Sequence, residues 1–151
     1  MTLKEQHGLS GRLHIILTEC GRVVGERRVD NLITDAGRQV LARLFAGQAQ
    51  ANELRIAVGT NAKELNAAQA TITAVADAKA SVVVDQGNDA RALARVVATL
   101  PASGDANPQP IQEAGILIML PDSQVVYNRV TFPVVNRAGN LEMTFSWEVS
   151  F

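Results

Sequence analysis

Leu141-Glu142-Met143-Thr144-Phe145-Ser146-Trp147-Glu148-Val149-Ser150-Phe151 alternates without interruption, apolar at every odd position and polar at every even one. Successive side chains of an extended backbone point to opposite faces, so the pattern specifies a strand with one buried and one solvated side. The buried side would carry Leu141, Met143, Phe145, Trp147, Val149 and Phe151, which include the only Trp and two of the four Phe of the chain. With so much bulky packing volume in one row, the rest of the fold is expected to assemble over this strand.

Working back from it, residues 136–140 read as a turn, 125–132 as a strand, 121–124 as a turn and 111–120 as a strand, so that three consecutive strands form a meander. Glu113 is the one carboxylate near the start of an otherwise apolar segment. Residues 101–110 hold three prolines among small polar residues. About 40 residues follow, too few for a second core, so this is expected to be a surface loop within one domain. Residues 81–85 and 95–100 are rich in valine and predict a hairpin around a turn at 86–89. Leu54, Ile56 and Val58 alternate in a strand over 53–59, whereas residues 60–80 lack periodicity and predict a long excursion with a short helical turn at 64–68.

Residues 35–46 form the clearest helix. Thr34 is placed to cap the first turn, Asp35 faces the positive end of the dipole, and Gly47 suits the left-handed stop. Val40, Leu41, Leu44 and Phe45 are expected to share its apolar face and to lie across a sheet, with the alternating C-terminal strand as the natural candidate. Gly37 weakens a helix by about 1 kcal/mol relative to alanine, which implies a close approach to the backbone there. Before the helix, residues 13–18 and 23–29 predict a hairpin around 19–22. Residues 1–8 read as a polar, flexible arm. Arg22, Arg27 and Arg28 suit either a solvated, protected edge or a docking patch.

The sum is a single domain over residues 1–151 of class α+β, mainly β: an antiparallel β-sandwich-like domain with one amphipathic helix packed on the sheet. Lys plus Arg number 14 and Asp plus Glu 15, so no overall field draws the chain to nucleic acid or to an anionic membrane. One cysteine, Cys20, allows neither an intrachain disulfide nor a zinc site of several thiolates, and fits a reducing cytoplasm. No apolar run reaches about 18 residues and the N-terminus lacks a hydrophobic signal core. His7 lies in the polar arm and His14 in an apolar strand; no phosphate loop, dinucleotide fingerprint or metal-ligand spacing is present. The expectation is therefore no catalytic residue, no cofactor and no metal.

Two stretches together resemble a family of bacteriophage and prophage tail-associated structural proteins. The first comprises Asn31-Leu-Ile-Thr34, Ala36-Gly37-Arg38, Leu41-Ala42, Leu44-Phe45-Ala46-Gly47 and Ile56-Ala-Val-Gly-Thr60. The second comprises Glu113-Ala-Gly-Ile-Leu117, Tyr127-Asn-Arg-Val-Thr-Phe-Pro133 and Phe145-Ser-Trp-Glu148. Their order and spacing cover roughly half the chain, while residues 61–65 replace the glycine-rich continuation frequent in the family and residues 68–110 do not align. The resemblance implies an attachment-type domain at a tail, baseplate, collar or fibre junction of a virion or phage-tail-like particle, assembled in a bacterial cytoplasm. Its partners would be other virion or particle proteins and copies of itself in a symmetric assembly, with neither nucleic acid nor membrane. A head decoration protein and a non-virion cytoplasmic accessory binding module are the alternatives. Exposed candidates for assembly contacts are Arg22, Arg27 and Arg28, with the loops around Asn61 and Asn107.

Overall fold

A computed structural model of the chain describes residues 8–68, 71–85, 92–104 and 107–151. In chain order they form β1 (Ser10–Glu19), β2 (Arg22–Asp30), β3 (Leu32–Ile33), α1 (Asp35–Phe45), β4 (Glu53–Gly59), β5 (Ala74–Lys79), β6 (Ser81–Asp85), β7 (Leu93–Leu100), β8 (Gln109–Met119), β9 (Gln124–Val126), β10 (Asn128–Arg137) and β11 (Leu141–Ser150). Two antiparallel sheets pack face to face, as expected of a mainly β sandwich with one helix. The first runs β2-β1-β11-β7-β6 and the second β3-β10-β8-β4-β5, with β9 added alongside β8.

The alternating stretch is the centre of the first sheet. β11 pairs with β1 from Ser10↔Ser150 to Glu19↔Leu141, and on its other side with β7 from Met143↔Leu100 to Ser150↔Leu93. Leu141, Met143, Phe145, Trp147 and Val149 are all buried, but Phe151 lies past the strand and is 47% exposed. The expected meander is corrected: β11 does not pair with β10. β10 pairs β8 on one edge and, at Asn128 and Arg129 alone, β3 on the other, and after residues 138–140 the chain crosses to the opposite sheet. The predicted strand over 125–132 is also divided, at Tyr127, into β9 and β10. β10 continues through Arg137, absorbing Pro133 in a register shift between Thr131 and Val135, where its missing N–H breaks no ladder.

Both sides of the sandwich are turned by strands that change sheet. Only Asn31 separates β2 from β3, and only Ala80 separates β5 from β6. Each pair is one extended run bent at a single residue, a known way of making a sandwich corner. β5 is a strand where the sequence implied irregular chain. Ala74-Val-Ala-Asp-Ala-Lys79 has little intrinsic β preference, and its ladder with β4, from Arg55↔Lys79 to Gly59↔Ala74, imposes the conformation. The helical turn expected over 64–68 is reduced to a turn at Ala67 and Ala68, and Gln109 and Pro110 belong to β8 and not to the preceding loop. The 86–89 turn and all of the N-terminal arm except Gly8 lie outside the described residues.

α1 has the predicted start and stop. Thr34 Oγ1 accepts a hydrogen bond from Gly37 N at 2.9 Å and donates to the Val126 carbonyl at 2.5 Å, and Gly47 has φ of 71°. A Cβ on Gly37 would collide with the Tyr127 carbonyl, which accounts for a glycine inside the helix. The helix therefore packs at the β9–β10 junction, against β9, and does not lie across β11 as a whole. Phe45 departs from expectation, at 96% exposed. At 100° per residue Leu44 falls about 40° from Val40 around the axis, but Phe45 about 140°.

Candidate functional site

The outer face of the second sheet carries the best-built polar feature of the molecule. Glu113 on β8 and Arg129 on β10 are 0% and 2% exposed, with Nε donating to Oε2 at 2.8 Å. The other oxygen, Oε1, accepts from Thr73 N at 2.8 Å and Asn61 N at 3.3 Å. Arg129 Nη2 donates to the Asn61 carbonyl at 2.8 Å and Nη1 to the Lys63 carbonyl at 3.1 Å. One ion pair thus holds both ends of the excursion that leaves β4 and returns as β5. Gly59 makes room for it, because a Cβ there would occupy the place of Glu113 Oε1. Ile72, from the same excursion, packs on Ala57, Leu117 and Val126, and Gly115 leaves space for its Cδ1. That covering explains why β8 is buried on both faces from Glu113 to Ile118.

A buried pair of this kind is often no more stabilising than a well-packed apolar substitute, but removing one partner alone costs about 3–5 kcal/mol. Its carboxylate is fully engaged by an arginine and two backbone amides, so its role is to shape the loop presented above it.

A second network ties the two sheets together at the Asn31 corner. Asn31 Oδ1 accepts from Trp147 Nε1 at 2.6 Å and from Asn128 Nδ2 at 3.2 Å, while Asn128 Oδ1 accepts from Ile116 N at 2.9 Å. The indole of the first sheet and the amide of the second therefore share one acceptor. Sequence reading missed Asn31, Asn128 and Arg129 as framework residues. The available signal was a polar pair, Asn128-Arg129, inside a run of strand-forming residues.

Three of the predicted contact residues share β2, and the two asparagines lie in loops elsewhere. Arg22 and Arg28 are exposed on β2; Arg27 points to the opposite face and is half-buried, its Nη1 donating to the Glu26 carbonyl at 2.9 Å. Asn61 is half-buried and held by Glu113 and Arg129, and Asn107 is exposed ahead of β8. Arg28 joins Arg12, His14, Arg95, Ser146 and Glu148 around a shallow hollow of about 220 Å³ on the outer face of the first sheet. Charges alternate there: Arg12 pairs with Asp30 at 3.1 Å and Arg95 with Glu148 at 3.4 Å, while His14 Nε2 lies 3.4 Å from Glu26.

The rim between the two sheets beside α1 is apolar. A cavity of about 190 Å³ opens between Leu41 and Leu44 of α1, Leu54 of β4, Val82 of β6, Val96 of β7 and Phe151. Tyr127 also lines it; the residue is 4% exposed and its hydroxyl has no partner among the described residues. Burial pushes its phenol pKa up, offset in part by the charge of Arg38. Beside the cavity all five residues of β6 are exposed, with Val82, Val83 and Val84 at 46%, 62% and 71%.

Among the described residues no group of three His, Cys, Asp or Glu is placed to hold a metal ion. Cys20 is exposed in the β1–β2 turn with φ of 48°. No helix among the described residues is long and apolar enough to cross a membrane. No family model, no curated protein and no solved structure matches the chain.

Proposed function

We propose that this chain is a structural component of a phage virion or phage-tail-like particle, placed at a tail, baseplate, collar or fibre junction and acting through protein–protein contacts. The observation that carries the reading is where the family-like residues meet. The two stretches that resemble tail-associated proteins are far apart in sequence, and they are bonded to each other. Asn31 accepts from Asn128 and Trp147, the Thr34 N–H donates to the Tyr127 carbonyl, Gly37 fits against Tyr127, and Gly59 against Glu113. Residues shared as a pattern thus act as one framework, while the unaligned region supplies the covering loop and the exposed strand. A scaffold that holds loops and edges outward suits a part repeated by symmetry in an assembly.

The test is mass spectrometry of purified particles after heads are separated from tails, with copy number scaled to the major tube and capsid proteins. The reading expects the chain in the tail fraction at a low multiple of three or six. Hundreds of copies in the head fraction would make it a decoration protein instead. Absence from both fractions would overturn the virion role in favour of an accessory binding module.

A further inference from the structure

We propose that β6 is a self-association edge: two copies pair their β6 strands antiparallel about a two-fold axis at Val83, joining their first sheets into one. The inference stands on the geometry of the edge and is independent of the virion reading.

Among the described strands that end the two sheet orders, β2, β3 and β5 are blunted against stray pairing. β2 carries Arg22, Glu26, Arg27 and Arg28 and follows a register shift at Leu17/Thr18; β3 is two residues long; β5 presents Asp77 and Lys79. Charges, bulges and short length are the usual protections of an edge. β6 has none along its valines. Its inner side is bonded to β7, and no described strand pairs its outer side.

The occupant follows from the strand's own sequence. Ser81-Val82-Val83-Val84-Asp85 is nearly symmetric about Val83. Antiparallel pairing with itself sets Ser81 against Asp85, Val82 against Val84 and Val83 against Val83, placing a hydroxyl opposite each carboxylate and no like charges opposite one another. A one-residue slip would set Val82 against Val83 and reverse the faces of the second sheet. Val82 and Val84 lie opposite Val96 and Ala94 of β7, and Val96 is 2% exposed. The two valines are therefore core-side residues left uncovered at the rim, next to the apolar cavity. In the two-fold pair they meet their counterparts on that same face and extend the core across the junction, an isologous contact of the kind cyclic dimers use.

Sedimentation velocity over a range of concentration tests this with wild type, Val83→Lys, Val83→Glu, and Val24→Lys as a control on the exposed, charged β2 edge. Wild type and Val24→Lys are expected to dimerise alike. Val83→Lys and Val83→Glu each place like charges at the axis and should weaken association, by up to about fivefold, Val83→Lys the more because Arg95 lies opposite it on β7. An equimolar mixture of the two should dimerise again, because lysine then faces glutamate. Circular dichroism and unfolding of each variant at dilution guard against misfolding, and the restored mixture shows that both variants are folded. A wild type that stays monomeric throughout, or Val83 variants that dimerise as wild type does, would overturn the proposal.

Discussion

At Asn31 and at Ala80 the chain makes the same move, leaving one sheet and entering the other after a single residue, yet the two corners are secured in opposite ways. Asn31 gathers the indole of Trp147 and the amide of Asn128 onto one oxygen, and its backbone N–H continues the β1 ladder to the Gly11 carbonyl at 3.1 Å. Ala80 makes one backbone hydrogen bond, to the Leu54 carbonyl at 2.9 Å, and past it the strand lies exposed on every residue. The difference is one of cross-linking. The Asn31 side chain ties the two sheets through its oxygen, which makes that corner rigid, although its Nδ2 has no partner among the described residues. A corner that ends in exposed valines gains only by being covered, and a second chain can supply the cover.

The largest expected effect lies with the polar framework. Glu113→Ala strands the Arg129 guanidinium in a buried site and should cost about 3–5 kcal/mol in denaturant unfolding, whereas Glu113→Leu combined with Arg129→Met should recover much of it. If the single variant costs no more than the double, the pair does not hold the excursion as described. Next comes the corner itself. Asn31→Ala leaves the Trp147 N–H and an Asn128 N–H without their acceptor, at about 1–3 kcal/mol for a buried unsatisfied group. Ala80→Gly should cost only about 0.5–1 kcal/mol, through backbone entropy. Equal losses at the two corners would erase the contrast between them. The single Trp, fully buried, reports the Asn31 change directly through its fluorescence.

Tyr127 gives a smaller, pH-dependent effect. Its phenol pKa is raised above the ordinary 10.0 by burial, so the folded chain retains a proton that the unfolded chain releases. Its contribution is complete below pH about 10 and is lost as pH rises through the folded value. Tyr127→Phe should be close to neutral at pH 7, because no hydrogen bond is lost, and should flatten the alkaline limb of the stability curve. As the only Tyr of the chain, it also allows the ionisation to be followed by absorbance without interference. Smallest of all, Val83→Lys should change monomer stability by less than about 0.5 kcal/mol at dilution, as expected of an exposed position.

Much of this architecture was legible because local signals and tertiary demands coincide. The alternation of β11, the cap at Thr34, the stop at Gly47 and the misfit of Gly37 all appear where their patterns place them. Four features were hidden, each for a physical reason. β5 is written in small, weakly β-forming residues and takes its shape from β4. β11 sits in the first sheet because β1 and β7 take both its edges, long-range pairings with no local signature. The polar framework joins single residues nearly a hundred positions apart, and Glu113 stood out as an isolated carboxylate while its partner Arg129 did not. The exposure of β6 was equally invisible, since a run of valines reads as buried strand until the second sheet is seen to stop short of it.

The most direct test of the contrast between the corners is amide hydrogen exchange of the wild-type chain at two protein concentrations. Amides at the Asn31 corner, with those of β11, are expected to exchange slowly at both. Outward-pointing amides of β6 should exchange quickly when dilute and become protected when concentrated. Protection of β6 that does not change with concentration, or exchange at the Asn31 corner as fast as at β6, would contradict that contrast.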